Sequence, residues 1–343
     1  MGVQLSSLVD AKELEFNQLT GRKIGVDALN VLYQFLASIR QPDGTPLMDS
    51  QGRVTSHLTG LFYRTVKLLE FGIEPVFVFD GRPHEKKGDT IEARKKVRAK
   101  AEGAWREAQE KGDLKEAKKF AQASGRITGD MMDEAKSLLR ALGVQSIDAP
   151  SEGEAQAAHM VKNGSLYAVA SQDFDSLLFG APKTIRNLTV SGKRKIAGKS
   201  EYIEVKPELI ELDKFLSTLN ITQEQLILIG LLVGNDFEPG VEGIGPKKAL
   251  DLVKKHPTLD SVLNSEIKDK LEGLNFPEVY DIFAKPNVTD EYDINPGVLD
   301  REEVKRILCT EHSFSQERIN ANLDKLEKSL LSGRQSKLEK WFQ

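Results

Sequence analysis

The stretch LYAVASQDFDSLLFG (Leu166–Gly180) decides the fold. Its apolar start reads as a buried strand, and its end places two carboxylates, Asp173 and Asp175, two residues apart. In an extended chain such residues point to the same side. Like charges at a buried strand end destabilise a fold unless something cationic neutralises them. Three other segments share this grammar, an apolar run closing on an acid before a helical pattern: RKIGVDALNVLYQFL, IEPVFVFDGRP and VQSIDAPSEGEAQAAHMV. Strands alternating with helices predict an α/β fold with a mostly parallel central sheet flanked by helices. Ligands of such sheets bind beyond the carboxyl ends of the strands. Asp27, Asp80, Glu152, Glu154, Asp173 and Asp175 all fall there, so one shared site is expected.

The 343 residues suffice for a substantial core, and 39% hydrophobic with 29% charged residues is a globular composition. The apolar run LILIGLLVG is far shorter than a bilayer span, and no secretory signal is visible. MGVQLS does match the short M-G-x-x-x-[ST] acylation pattern. One cysteine, Cys309, excludes an internal disulfide and a thiolate cluster, which suits an intracellular protein. The five histidines lack ligand spacing, so any metal is expected on oxygen ligands.

Four acids also have a structural explanation, which the Asp173/Asp175 pair resists. Ser151 and Glu154 fit a helix capping box, Glu152 suits a helix N-terminus, and Asp80 and Asp236 suit turns. Seven carboxylates with Asp236 exceed what one Mg²⁺ needs, and they match a pair of ions. Setting seven negative charges against bound metal turns the formal charge of −4 into +3 for the remainder, which readmits nucleic acid as a partner. Between Gly81 and Arg126 stand 14 Lys/Arg against 8 Asp/Glu, in a helix-forming but polar segment placed above the acids. After Asp236, FEPGVEGIGPKKAL gives a glycine-rich turn opening into a helix with lysines at 247 and 248, suited to a phosphate backbone.

In this order, GVDALNVLYQFL, VFDGRP, APSEGEAQAA, SQDFDSLLFG and GNDFEPGVEGIGPKKAL resemble the structure-specific flap endonucleases of the XPG-like 5′-nuclease superfamily, over nearly the whole chain. The resemblance implies a PIN-like nuclease core with a helical arch and a helix–two-turn–helix. It implies one nuclease domain over 1–330, with an N-terminal part to about 98, an arch at about 82–130 and an internal part at about 116–258. The helix–two-turn–helix would occupy about 236–256, and a flexible clamp-binding tail 331–343. The implied activity is Mg²⁺-dependent (Mn²⁺ possible) 5′ flap endonuclease and 5′-3′ exonuclease cleavage of branched DNA, in Okazaki-fragment maturation and base excision repair. By the same resemblance Asp80, Glu152 and Glu154 hold one Mg²⁺ with Asp27 nearby, and Asp173, Asp175 and Asp236 anchor a second. Lys87 and Arg94 polarise the scissile phosphate, and Tyr33 stacks the adjacent base. Arg40 and Thr55 grip a 3′ flap. Gly243, Gly245, Lys247 and Lys248 contact duplex DNA, and Gly240, Val241 and Ile244 offer carbonyls to K⁺. Gln335, Leu338, Trp341 and Phe342 match a sliding-clamp (PCNA) box.

Phe237 and Asn235 stand where the family often has Tyr and Ser or Thr, and the turn spacing leaves the K⁺ ligands open. The implied protein is a monomer without membrane attachment, archaeal in type because no lysine-rich nuclear tail follows the box. Two other functions compete. An aspartyl-phosphate phosphatase needs a second acid after Asp27, which GVDALN lacks, and a non-catalytic junction scaffold would have lost acids that are all present.

Overall fold

The computed structural model describes residues 2–82, 87–190, 192–195 and 202–339. Nine strands form there: β1 (Lys12–Glu13), β2 (Lys23–Asp27), β3 (Glu74–Phe79), β4 (Ser146–Asp148), β5 (Ala168–Ala170), β6 (Lys183–Arg186), β7 (Gly192–Lys195), β8 (Tyr202–Val205) and β9 (Glu208–Glu211). Seven make one sheet in the order β1-β9-β6-β5-β2-β3-β4, and β7 and β8 pair as a separate hairpin. β6, β5, β2, β3 and β4 run parallel, and β9 pairs antiparallel with both β6 and β1.

The helices follow as α1 (Ala28–Ser38), α2 (Ser56–Glu70), α3 (Lys87–Glu110), α4 (Leu114–Ser124), α5 (Gly129–Ala141), α6 (Gly153–Lys162), α7 (Asp175–Leu178), α8 (Leu212–Leu219), α9 (Gln223–Val233) and α10 (Pro246–Lys255). Strand alternation divides the core in two. Val76, Val78 and Val169 face a layer built from α6 to α10, whereas Phe77, Phe79, Ala168 and Ala170 face α1, α2, α5 and the segment Val304–Leu326. LILIGLLVG is apolar all round because α9 is buried all round, as such a helix must be. Among the described residues no single helix is long and apolar enough to cross a membrane.

From β4 the chain crosses β3 and β2 to enter β5 on the far side of β2. The order therefore reverses beside β2, and a crevice opens at the carboxyl ends of β2 and β5. The polar segment after Gly81 forms the antiparallel pair α3–α4. Its inner seam is alanine, with Ala101, Ala108, Ala117 and Ala121 buried, so helices with little apolar area still pack closely. Trp105 anchors the pair, donating its indole N–H to the Asp43 carbonyl at 3.2 Å beneath the Arg40 guanidinium.

The end of the described chain is helical. The helix Gln316–Glu339 runs through the first part of the segment expected to be a flexible tail. Leu330 packs on the core and Ser329 donates to the Glu70 carbonyl at 2.9 Å, which extends the helix past residue 330.

Candidate active site

Six acids surround the crevice from strand ends, helix starts and the loops between them, and Asp236 faces them from the turn after α9. Asp27 ends β2 and caps α1, accepting from the Asn30 backbone N–H at 3.0 Å. Asp80 follows β3 and accepts from the Gly153 N–H at 2.7 Å, tying β3 to the start of α6. Gly81 makes the approach possible, since a Cβ there would lie 2.0 Å from the Ala149 carbonyl. Glu152 holds the N-cap position of α6 without a side-chain cap, and the expected Ser151–Glu154 capping box does not form. Glu154 turns inward instead, and its Oε1 is buried without a partner.

Asp173 and Asp175 lie past the strand rather than on it, because β5 ends at Ala170. Asp173 accepts from the Asn30 side chain at 3.0 Å, and Asp175 opens α7 while accepting from the Val3 N–H at 2.7 Å. The pair is brought together by a turn, not by the two-residue repeat of an extended chain. Gly2 packs on the same spot, where a Cβ would sit 2.7 Å from both Asp175 oxygens. A side chain at position 2 therefore has no room beside Asp175.

The electrostatics show a site short of positive charge. Burial, with the Asp80 charge second, pushes the Asp27 carboxyl up to about 8. Burial, with Asp236 second, pushes Asp175 up to about 7. Glu154 lies well above the ordinary range for the same reason, with Asp175, Asp27 and Asp173 adding repulsion. Glu152 is raised by burial and partly relieved by the Lys87 ammonium, with which it forms an ion pair. Burial disfavours the charge on Lys87, yet Glu152, Asp80 and Asp236 outweigh it and raise its pKa. The Lys87 ammonium also lies 5.1 Å from the centroid of the Phe237 ring. Thus Lys87, at the base of α3, enters the crevice as its internal counter-ion.

Among the described residues no three of these side chains already converge on one metal position. The oxygens are turned onto Asn30, Gly153, Val3 and Lys87 instead. The donor chemistry nevertheless fits a hard divalent cation: all ligands are oxygens, they repel one another, and Glu154 Oε1 has no donor.

A stability prediction follows from the raised carboxyls. A carboxyl with a folded pKa above its unfolded value of 3.8 stabilises the fold fully below about pH 4, and loses that contribution as pH rises through the folded pKa. The thermal midpoint of EDTA-treated protein should therefore fall between about pH 5 and 8.5, and Mg²⁺ should restore most of it at pH 8.5. Carboxyls held low elsewhere, such as Glu266 beside Lys255 and His256 at about 2, titrate below this window. A midpoint that rises across it in EDTA would contradict the assignment.

The remaining expected residues distribute around this centre. Arg94 lies on α3 two turns beyond Lys87, and its side chain is outside the described residues. Tyr33 faces the arch on α1: the Arg98 guanidinium stands 5.1 Å from its ring centroid and donates to its hydroxyl at 3.2 Å. Arg40 is half-buried and donates to the Leu36 and Gly44 carbonyls, and burial lowers its pKa. Thr55 is buried at the N-cap of α2, its N–H on the Leu47 carbonyl. Gly240, with φ +79°, packs on Gly234, while the Val241 carbonyl accepts from the Ile244 N–H at 3.0 Å. Gly243 and Gly245 are exposed before Pro246, as are Lys247 and Lys248, and Lys248 donates to the Gly243 carbonyl. Gln335 and Leu338 lie on the last helix with side chains outside the described residues, and Trp341 and Phe342 lie outside altogether.

Sequence reasoning missed Asn30, which joins Asp27 to Asp173, and Gly2, Arg98 and Trp105. Asn30 had a signal, standing three residues after an acid at a strand-to-helix junction. The others had none, because their roles rest on contacts between segments far apart in sequence.

The XPG N-terminal domain matches residues 1–101 and the XPG I-region residues 143–236, which together exceed half the chain. Flap endonuclease 1 of Pyrococcus furiosus is 50% identical over 345 residues, covering 100% of this chain and 99% of the relative. Among solved structures, flap endonuclease-1 from Methanococcus jannaschii superposes with a TM-score of 0.75 at 39% identity, over 96% of this chain and 99% of that one. The catalytic core of Rad2 in complex with DNA substrate shares the fold, with a TM-score of 0.68 at 24% identity over 92% and 96%. Acids gathered at the switch point of a parallel sheet beneath a basic helical pair, with this likeness along the full chain, make the chain a nuclease of the XPG family, in its flap endonuclease 1 group.

Proposed function

We propose that this flap endonuclease cleaves phosphodiesters where a 5′ single strand meets duplex DNA, using two divalent ions held by the seven acids. The observation that supports this most is the crowding of buried, mutually repelling carboxylates under the arch, with Lys87 as their internal cation. Asp80, Glu152 and Glu154 would hold one ion with Asp27 beside it, and Asp173, Asp175 and Asp236 the other. Bound there, a metal pair supplies an activated water and stabilises the leaving oxygen.

The chain's own residues do the remaining work. Lys87 can exchange Glu152 for a phosphate oxygen when substrate arrives, and Arg94 lies on the same helix to share that charge. Tyr33 offers a ring face to the base beside the cut once Arg98 moves aside. Gly243, Gly245, Lys247 and Lys248 present N–H groups and charge to the duplex backbone, with K⁺ on the carbonyls of Gly240, Val241 and Ile244. Arg40 and Thr55 border the loop that would take a 3′ flap. The arch has the charge to draw a single strand beneath it.

A double-flap oligonucleotide tests the reading. Cleavage at the junction should require Mg²⁺ and stop in EDTA, and a bulky protein on the free 5′ end before enzyme is added should inhibit it strongly. Metal-independent cleavage, or unimpaired cutting of the blocked flap, would refute it.

The end of the chain supports a second contact. QSKLEKWF has the Q-x-x-aliphatic-x-x-aromatic-aromatic spacing of a segment that fills a hydrophobic pocket on a sliding clamp, with Gln335 at its rim. Trp341→Ala with Phe342→Ala should weaken clamp binding by about 100-fold or more while leaving clamp-independent cleavage unchanged. Calorimetry on the full chain decides this, and equal affinity of the double variant would reject the assignment. The enzyme needs no second copy for any of these contacts, and a monomer is expected.

A further inference from the structure

At the amino ends of β2, β5 and β6, on the sheet edge opposite the acids, a cleft of about 390 Å³ opens. Arg22, Lys23 and Lys183 line it together with Tyr167, Ser165 and Gly164, and no carboxylate does. The Arg22 guanidinium lies 4.7 Å and the Lys183 ammonium 4.5 Å from the centroid of the Tyr167 ring. Lys23 donates to the Ile294 carbonyl at 3.2 Å. Arg22 and Lys183 form no ion pair among the described residues. The acids opposite in register are Glu74 across from Lys23 and Glu211 across from Lys183, and neither reaches the cleft.

Arg22 and Lys183 meet at one ring with Lys23 lining the same cleft, so the three cations repel one another, and an anion between them would relieve this. The ring suits a ligand with an aromatic part, because a planar guanidinium resting on an aromatic face can itself carry a base. We propose that this cleft binds a nucleotide phosphate, with Arg22, Lys23 and Lys183 around the phosphate and Tyr167 with its stacked guanidinium beside the base. The ligand is a free nucleotide or the phosphorylated end of a strand, since both present the same chemistry. The cleft lies at the far ends of the strands from the acids, so it is separate from the cleavage site.

Full-length enzyme in EDTA and low salt is titrated with ADP bearing a fluorescent N-methylanthraniloyl group. Saturable binding is expected, weakened at least tenfold by Arg22→Gln with Lys183→Gln and in part by each single substitution. Double-flap cleavage by these variants should stay within about twofold of wild type, which also shows that they fold. Displacement of the probe by unlabelled ADP alone supports a free nucleotide, whereas displacement by a 5′-phosphorylated oligonucleotide at lower concentration supports a strand end. Absence of saturable binding, or equal binding by the single and double variants, overturns the proposal.

Discussion

Asp173→Asn should reduce flap cleavage by on the order of 10³-fold or more at saturating Mg²⁺ while leaving the affinity for flap DNA within a few-fold of wild type. Loss of a single transition-state donor already costs roughly 10²–10³ in rate, and here a charge that holds a metal is removed. The substitution is nearly isosteric, and an asparagine oxygen can still accept from the Asn30 side chain that now donates to Asp173 at 3.0 Å. The DNA-binding surface is untouched. Stability should move the other way. The Asp173 charge contributes to the raised pKa of Asp27, Glu154 and Asp175, so removing it relieves three buried carboxyls at once. In EDTA the variant should therefore melt higher than wild type, and Mg²⁺ should raise its midpoint less. Single-turnover cleavage with paired melting curves separates the outcomes. Wild-type turnover would end the metal assignment, and a lower melting point in EDTA would show that Asp173 is chiefly a structural acceptor.

That prediction was legible in the sequence because patterning, not packing, marks the strand ends. LYAVA closes on acids just as KIGVD and EPVFVF do, and a parallel sheet gathers its carboxyl ends on one edge whatever the loops look like. The basic pair α3–α4 was legible from composition for a similar reason: little apolar area implies an excursion from the core. The local geometry was not legible. The two-residue spacing of Asp173 and Asp175 suggests an extended chain, whereas the strand stops at Ala170 and a turn and short helix bring the acids inward. The S-x-x-E of Ser151–Glu154 suggests a cap, but Glu152 takes the N-cap position and Glu154 is turned into the crevice. Gly2 is also a residue whose lack of a side chain lets the first residues of the chain lie against Asp175, which no local pattern announces. Local rules fail here where segments from distant parts of the chain meet, which is where the chemistry sits.

Lys87→Ala joins these points, because the proposed function gives Lys87 a second role beside its ion pair with Glu152. In this structure its ammonium neutralises Glu152 and is held in the charged form by Glu152, Asp80 and Asp236 against burial. With substrate in place the same ammonium is expected at the scissile phosphate. Alanine should therefore slow the single-turnover step by roughly 10²–10³, the cost of losing one positioned donor to developing charge. Flap affinity should change little, since one buried lysine adds little to a surface of many phosphate contacts. Two further readouts distinguish this role from that of an ordinary surface lysine. Removing a cation that competes for Glu152 should lower the Mg²⁺ concentration for half-maximal rate, even as the maximal rate falls. Lys87→Arg, which keeps the charge, should recover part of the rate. A lysine on a solvated helix would be silent in all three measurements, so a single-turnover rate within twofold of wild type would return Lys87 to a purely structural ion pair with Glu152.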